Sequence, residues 1–512
     1  MGKSGHHGHS RYDENGQIWS NQDIDPTPPS RRNYQWHNYL LYFIGTGFNN
    51  WTGGSSIIGV GLGWKNAVVL AFAANILAGL LVSANSKAAA RYHIGFPAIA
   101  RSVAMRANLA CVWYATKVYE CASYLQIMMM AIFGHHFTDI PNHVPTRIGY
   151  TTQQFLCYFL VWVIMIPLLF KRPYQMKWFF TSSCILSFPA IFGLFIYCLV
   201  KSGGKISLEE FESSLLSNSA KAWQIIYVFS STISSGSSYI ESIPDMARWA
   251  NSQWSPIWIT VFTNSIFNPL SSVLGILGTS ALRTATGQTI WTPWNVMAYM
   301  LEQHTTAGAR FSVFLLACTW FSLSLSQNIS SNMIPFGSDT SMLWPRHITM
   351  TRGFIIVHIF AWVICPWKMY ASAETFLDFM GAYGIFMGPA VSIMLVEYYL
   401  VSNGNIFIPS LYVGNKNNEH YWYHGGWNIQ AYIAYIAAIG VKVHPVGQDF
   451  GNLGWALTIW PHPCVKRTRD FKWEELAERY DSVVMDSEVD ASGDVESVDK
   501  NATVSDREFD LD

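Results

Sequence analysis

The chain has 512 residues, of which 50% are hydrophobic and 15% aromatic but only 13% charged, against roughly 25% charged in an average soluble domain. That balance excludes an ordinary soluble enzyme and points to a membrane protein. A formal net charge of -1 offers no basic field, so nucleic acid is not expected as a partner.

In chain order, the first 38 residues are polar and lack the apolar core of a signal peptide. We read residues 1–38 as a cytoplasmic tail. Its His6, His7 and His9 resemble a metal-binding tract, but they sit in a polar segment that we read as functionally silent, and no metal site is expected. Apolar runs near the ~20 residues needed to cross a bilayer then recur at residues 39–62, 67–85, 109–133, 153–170, 178–200, 222–242, 255–281, 311–334, 353–372 and 376–400. Two weaker runs follow at 429–441 and 450–461. The transmembrane domain is thus expected over residues 39–461, and the acidic segment 462–512 is read as a solvated cytoplasmic tail. Loop cations such as Lys87, Arg91, Arg101, Arg172 and Arg248 fall on one side of this topology, which places both ends in the cytosol. The eight cysteines form no CxxC pair and are read as free thiols, mostly buried. Asn328 opens an NIS sequon, but inside a span, so glycosylation is not expected.

Spans 1 and 6 depart from a lipid-facing composition. FIGTGFNNWTGGSS (residues 43–56) and FSSTISSGSSYIESIP (229–244) are rich in Gly, Ser and Thr. An open backbone group costs several kcal/mol in hydrocarbon, so such segments suit helices that unwind around a ligand inside the protein. Their five-span offset suits two inverted five-helix repeats. Close packing through small residues is the competing explanation. On the first reading, Asn50 and Gly236 lie at the two breaks, with Tyr239 as the nearby aromatic.

Span 3 carries Trp113, Lys117 and Glu120 at i, i+4 and i+7, hence on one face. An ionisable group at mid-span marks a functional site by default. Lys117 lies too far from the helix ends to snorkel comfortably, and we read it as facing a cavity, a placement compatible with pairing to Glu120. Span 8 holds SLSLSQNISSN (322–332). Ser322, Ser326 and Ser330 share a face, and Asn328 stacks under Asn332. Two amides one turn apart, with Gln327 adjacent, suit a planar amide or imide ligand. His358 in span 9 stands alone and is read as structural; no HxxxH or DxxD pair in the spans supports a membrane-embedded enzyme.

NQDIDPTPPSRRNYQW, ARYHIGFPAIARS, WYATK, IPDMARWA, QNISSNMIPFGSD, LWPRHITMTRG and YWYHGGWNIQA, in that order along residues 21–475, resemble the nucleobase:cation symporter-1 family. The likeness is greatest to its fungal branch of uracil, allantoin, uridine and thiamine permeases. The resemblance implies an all-α polytopic, LeuT-like 5+5 inverted-repeat bundle of nominally twelve helices. It also implies cation-coupled import of a small heterocycle across the plasma membrane by alternating access, with no enzymatic step and no cofactor. The family's span 3 pattern, Trp-aromatic-Gly-x-Gln, falls on Trp113 to Lys117. Its substrate-binding asparagine falls on Asn332, and its cation-site hydroxyl positions fall on Ser326 and Gln327.

Departures from the pattern bear on function. Lys117 replaces a glutamine, exchanging a two-way amide for a donor-only cation, and so favours a substrate with an anionic or strongly accepting edge. Gln327 replaces a threonine, which favours a proton over sodium as coupling ion. Two stretches are short for the family, one before ANLACVW and one at NLGWALTIWPHPCVKR, so span 12 is expected to be incomplete or re-entrant. A transport-deficient sensor or degenerate copy is the alternative those two stretches and Lys117 suggest.

Overall fold

The computed structural model describes residues 27, 32–92, 103–171, 175–206, 218–252, 254–344, 347–401, 416 and 428–443. Their regular structure is helical, save one isolated parallel bridge between Tyr34 and Ala250. Span 1 is two short helices, α1 (Trp36–Phe48) and α2 (Trp51–Gly59). Spans 2 and 3 are α3 (Trp64–Tyr92) and α4 (Val103–Phe133). Spans 4 to 7 are α5 (Thr152–Met165), α6 (Lys177–Lys201), α7 (Asn218–Ala247) and α8 (Ser255–Thr286), followed by the short α9 (Pro293–Gln303). Span 8 is α10 (Ala307–Asn328), a π-helical turn Ile329–Met333 and α11 (Ile334–Leu343). Spans 9 to 11 are α12 (Met350–Phe360), α13 (Ala373–Val396) and α14 (Ile429–Val443). Residues 1–26 and 28–31 with the histidine tract, the C-terminal tail and the expected span 12 lie outside the described residues; the end of the expected N-terminal tail does not, since α1 already begins at Trp36.

Six of these segments, at spans 2, 4, 5, 7, 8 and 10, are long and apolar enough to cross a membrane by length and composition. The others are short, as α1, α2, α12 and α14 are, or carry buried polar side chains, as α4 and α7 do. Helix ends are marked by hydroxyl caps. Thr151 forms a capping box with Gln154 at the start of α5, and Thr306, Thr349 and Ser372 accept from first-turn amides of α10, α12 and α13. Each cap satisfies a donor that the helix itself cannot. The seven described cysteines are free thiols, four of them buried and three half-buried.

The expected break in span 1 is present, with Asn49 and Asn50 as turn residues between α1 and α2. The expected unwinding of span 6 is not: α7 runs unbroken from Asn218 to Ala247. Its hydroxyls fold back onto the helix, Thr232 Oγ1 donating to the Val228 carbonyl at 2.8 Å and Ser235 Oγ to that of Thr232 at 2.6 Å. The small residues serve contact instead. A methyl group added at Gly384 of α13 would overlap the Ser234 side chain, one at Gly381 would lie 2.9 Å from Ser231 Oγ, and one at Gly236 would lie 2.9 Å from the Ala78 methyl of α3. Close approach through small side chains is how membrane helices gain packing contact.

Two further contacts set the frame of the bundle. Tyr34 pairs with the chain beyond α7 through Tyr34 N–H to Trp249 O and Asn251 N–H to Tyr34 O, both 3.0 Å, and Tyr39 Oη donates to Met246 O at 3.0 Å. The start of span 1 is thereby fastened to the end of span 6. Farther along, α2 crosses α8 with backbone touching backbone at Gly54. A Cβ there would lie 2.5 Å from Ser272 Cα and closer still to its carbonyl oxygen. Gly54→Ala is therefore expected to force the two helices apart, lowering stability by about 1–3 kcal/mol. A thermal melt of the purified full chain in detergent, showing a lower midpoint than wild type, is the check; an unchanged melt would contradict the contact.

Candidate functional site

The break in α1–α2 frees backbone groups, and neighbouring helices answer for part of them. Ser271 Oγ of α8 donates to Phe48 O at 3.1 Å, and Asn50 Nδ2 donates to Ser272 Oγ at 2.9 Å. Asn49 turns the other way, its Nδ2 donating to Ser324 Oγ at 3.3 Å and, in a short contact, to Gln327 Oε1 of α10. The two turn asparagines thus tie span 1 to spans 7 and 8. The first-turn amides of α2 lack intrahelical acceptors and carry the positive end of its dipole.

Beside this break, Lys117 and Glu120 form a buried ion pair on α4. Lys117 Nζ lies 2.8 Å from Glu120 Oε1 and 2.7 Å from Oε2, with side-chain exposures of 8% and 4%. Tyr370 Oη donates to Oε1 at 2.5 Å and Ser324 Oγ to Oε2 at 3.2 Å. Four charge-assisted bonds offset the cost of removing the carboxylate from water. Tyr370 is held by rings, stacking on Tyr119, Trp291 and Phe376 with centroids 5.1, 6.1 and 5.0 Å away.

Break, ion pair and π-helical turn surround one cavity of about 70 Å³. Its lining includes Asn49, Asn50, Thr52 and Gly53 of the break, Trp113, Lys117 and Glu120 of α4, Ser235 and Gly236 of α7, and Gln327, Ser331 and Asn332 of span 8. Of the residues expected from sequence, Trp113, Lys117, Asn332, Asn50, Gly236 and Gln327 therefore meet. Trp113 packs edge-on against Phe376, Phe379 and Tyr383 of α13, with centroids 6.4, 5.4 and 6.1 Å away, and its indole nitrogen has no partner among the described residues.

Three expected residues behave otherwise. Asn328 is fully buried away from the cavity: it accepts from Asn332 Nδ2 at 3.0 Å and donates to Tyr114 O at 3.3 Å, so it holds Asn332 rather than a ligand. Ser326 is buried outside the lining, its carbonyl accepting from Ser330 Oγ at 2.9 Å. Tyr239 lies within α7, and its side chain is outside the described set. His358 is structural as expected, stacked on Trp162 at 4.6 Å and bonded through Nδ1 to Tyr114 Oη at 2.8 Å.

Sequence reading missed an amide cluster, Asn75 of α3 with Asn264 and Asn268 of α8, which lines the same cavity. Asn268 Nδ2 donates to Asn264 Oδ1 at 2.8 Å, the same i, i+4 arrangement as Asn332 on Asn328. That spacing, read in span 8 and overlooked in span 7, was the available signal. Phe376 and Met380 of α13, the apolar wall, carried none, because aromatic and Met residues are ordinary in spans.

Near the N-terminal end of α4, Arg106 forms a second buried charge cluster. Its Nη1 donates to Asp245 Oδ2 and Glu241 O, both at 2.7 Å, its Nε to Asp339 Oδ2 at 2.8 Å, and its Nη2 to Asp339 Oδ1 in a short contact. By helix rise the cluster sits ~10–16 Å along the axis from Asn332, Ser235 and Lys117. One side chain thus draws α4, α7 and α11 together beneath the cavity.

A family model described as a permease for cytosine/purines, uracil, thiamine and allantoin matches residues 26–467. The chain belongs to this permease family. The permease is 30% identical to the allantoin permease of Saccharomyces cerevisiae over 84% of this chain and 70% of that one. It is 27% identical to the uracil permease of the same organism over 82% and 68%. Mhp1, a nucleobase-cation-symport-1 family transporter solved in a closed conformation with bromovinylhydantoin bound, superposes with a TM-score of 0.65 at 16% identity over 88% of this chain and 94% of that one. The fold is accordingly the LeuT-like bundle of two inverted five-helix repeats. The protein is a multi-pass membrane transporter of the small-heterocycle permease class, not an enzyme.

Loss of the Arg106 fork should be felt twice. Arg106→Ala leaves Asp245 and Asp339 buried without their cation, a loss of about 3–5 kcal/mol, and Arg106→Lys restores only part of it because an ammonium cannot fork. A lowered melting midpoint of the purified permease, together with faster labelling of a cysteine placed at Ser331 from the N-terminal side, is the expected pair of results.

Proposed function

We propose that the permease imports a small flat heterocycle, of nucleobase, allantoin, nucleoside or thiamine-like shape, across the plasma membrane by cation-coupled alternating access. The observation that carries this reading is the single cavity onto which Trp113, Lys117, Asn332 and the α1–α2 break all open. Trp113 supplies a face for the ring, while Asn332 and Lys117 bond its polar edge. Asn50 and the first-turn amides of α2 add donors from the break, and Gly236 lets α7 approach closely enough to close the far side. The relatives named above support the substrate class.

A proton fits the coupling role better than sodium. Gln327, at a position where sodium-coupled members carry a hydroxyl residue, is engaged by Asn49, and Ser326 does not line the cavity. Moving one proton down a 100 mV potential releases about 2.3 kcal/mol, enough for roughly fifty-fold accumulation of a neutral substrate. Both ends are assigned to the cytosol from the distribution of loop lysines and arginines, which makes the Arg106 cluster the inner closure.

Uptake of labelled uracil, allantoin, urate, uridine and thiamine into permease-deficient cells tests the reading. One compound should accumulate unchanged, whereas a sensor would take up none. Base–aromatic stacking contributes about 1–3 kcal/mol, so Trp113→Ala should reduce uptake of that compound by about five- to 150-fold at subsaturating concentration. Asn332→Ala should fall in the same range, and wild-type uptake in either variant would contradict the assignment of the cavity.

A further inference from the structure

An intact ion pair on the wall of a substrate cavity is an unusual expense, because a neutral ring needs hydrogen bonds, not charges. Lys117 and Glu120 both line the cavity. The ammonium has three protons, and among the described residues its acceptors are the two Glu120 oxygens alone. Glu120 is held from outside the pair by Tyr370 and Ser324, which would keep the carboxyl group in place if the lysine turned away. The positive end of α2 reaches the same space through Thr52 and Gly53, and half-helix N-termini in broken spans suit anionic ligand groups.

We propose that the pair is an exchangeable counter-ion: Glu120 takes the coupling proton, and the Lys117 ammonium so released binds the anionic edge of a monoanionic heterocycle, such as a carboxylated pyrimidine. This rests on the cavity being the substrate site. The step balances. A proton from the outer medium bonds to a Glu120 oxygen and neutralises the carboxylate, while Lys117 stays protonated and exchanges its carboxylate partner for the substrate anion. On the inner side the anion departs, Glu120 returns its proton to water, and the pair re-forms. One proton and one anion cross together with no net charge moved.

Electrostatics enforces the coupling. Before and after exchange the cavity holds one cation and one anion, so neither state buries an unpaired ion. An anion entering without the proton would leave two negative groups against one ammonium. A neutral ring would gain nothing by breaking the pair. The titratable groups that face Glu120 are Lys117, Tyr119, Cys121 and Tyr124 on α4 and Tyr370 ahead of α13, joined by the Ser324 hydroxyl from α10. Among them no second carboxylate competes for the proton.

The full-length permease in proteoliposomes, given labelled orotate (anionic) or uracil (neutral), provides the test. An inward gradient of one pH unit should drive about tenfold orotate accumulation, with no response to an imposed membrane potential. Glu120→Gln should abolish the gradient-driven accumulation, and the double variant Lys117→Gln with Glu120→Gln, which removes both charges together, should shift selectivity from orotate to uracil. Should the variants fail to fold, thermal protection of the wild-type protein by orotate must deepen as pH is lowered, since binding takes up a proton; protection indifferent to pH overturns the proposal. Accumulation of uracil but not orotate also overturns it while leaving the heterocycle-permease reading intact, as does orotate accumulation that follows membrane potential and survives Glu120→Gln. Transport of neither compound overturns the proposal alone, while orotate uptake indifferent to Trp113→Ala overturns both.

Discussion

A lysine and a glutamate held in the middle of a membrane helix constrain everything around them. Neither charge is tolerable in hydrocarbon, and pairing alone does not repay the loss of water. The structure meets the cost with Tyr370 and Ser324, which bring the stretch before α13 and the face of α10 against α4. Ser324 is also bonded by Asn49, so the demand of one carboxylate reaches the turn between α1 and α2. That turn in turn leans on Ser271 and Ser272 of α8. The polar contacts that begin at the pair thus run to Asn49 and Asn50, which line the cavity beside Lys117 and Glu120.

Two kinds of contact lie beside this polar level, both toward the N-terminal end of α4. Toward the N-terminal side Arg106 of α4 gathers two aspartates and a backbone carbonyl from α7 and α11. Toward α13 the contact is aromatic, with Trp113 meeting Phe376, Phe379 and Tyr383 edge to face. The first can be released only by separating buried charges and so favours discrete open and shut states. The second can slide, since edge-to-face ring contacts lose little over small displacements.

Much of this was legible because membrane burial makes polar residues conspicuous. Lys117, Asn332 and the Asn49–Asn50 turn stood out against apolar spans, and all open on the cavity. The misreading of span 6 came from composition without direction. Serine and glycine density accompanies both an unwound helix and a tightly packed one, and only the partner surface, Gly381 and Gly384 of α13, distinguishes the two. Asn328 and Ser326 stay out of the lining although the predicted stacking of Asn328 under Asn332 holds, because Asn328 is spent on Asn332 and on the Tyr114 carbonyl. Asn75 stood as an isolated polar residue, and its convergence with Asn264 and Asn332 depends on how helices cross, which no single span records.

The central claim is that the break of span 1, the ion pair of α4 and the bulged span 8 enclose one site for a flat ring. Cryo-electron microscopy of the full-length permease with its transported heterocycle tests this directly. The account predicts ring density against the Trp113 indole, with a polar edge within hydrogen-bonding distance of Asn332 and Lys117. Density elsewhere in the bundle, with side chains filling the space between Trp113 and Asn332, would contradict it.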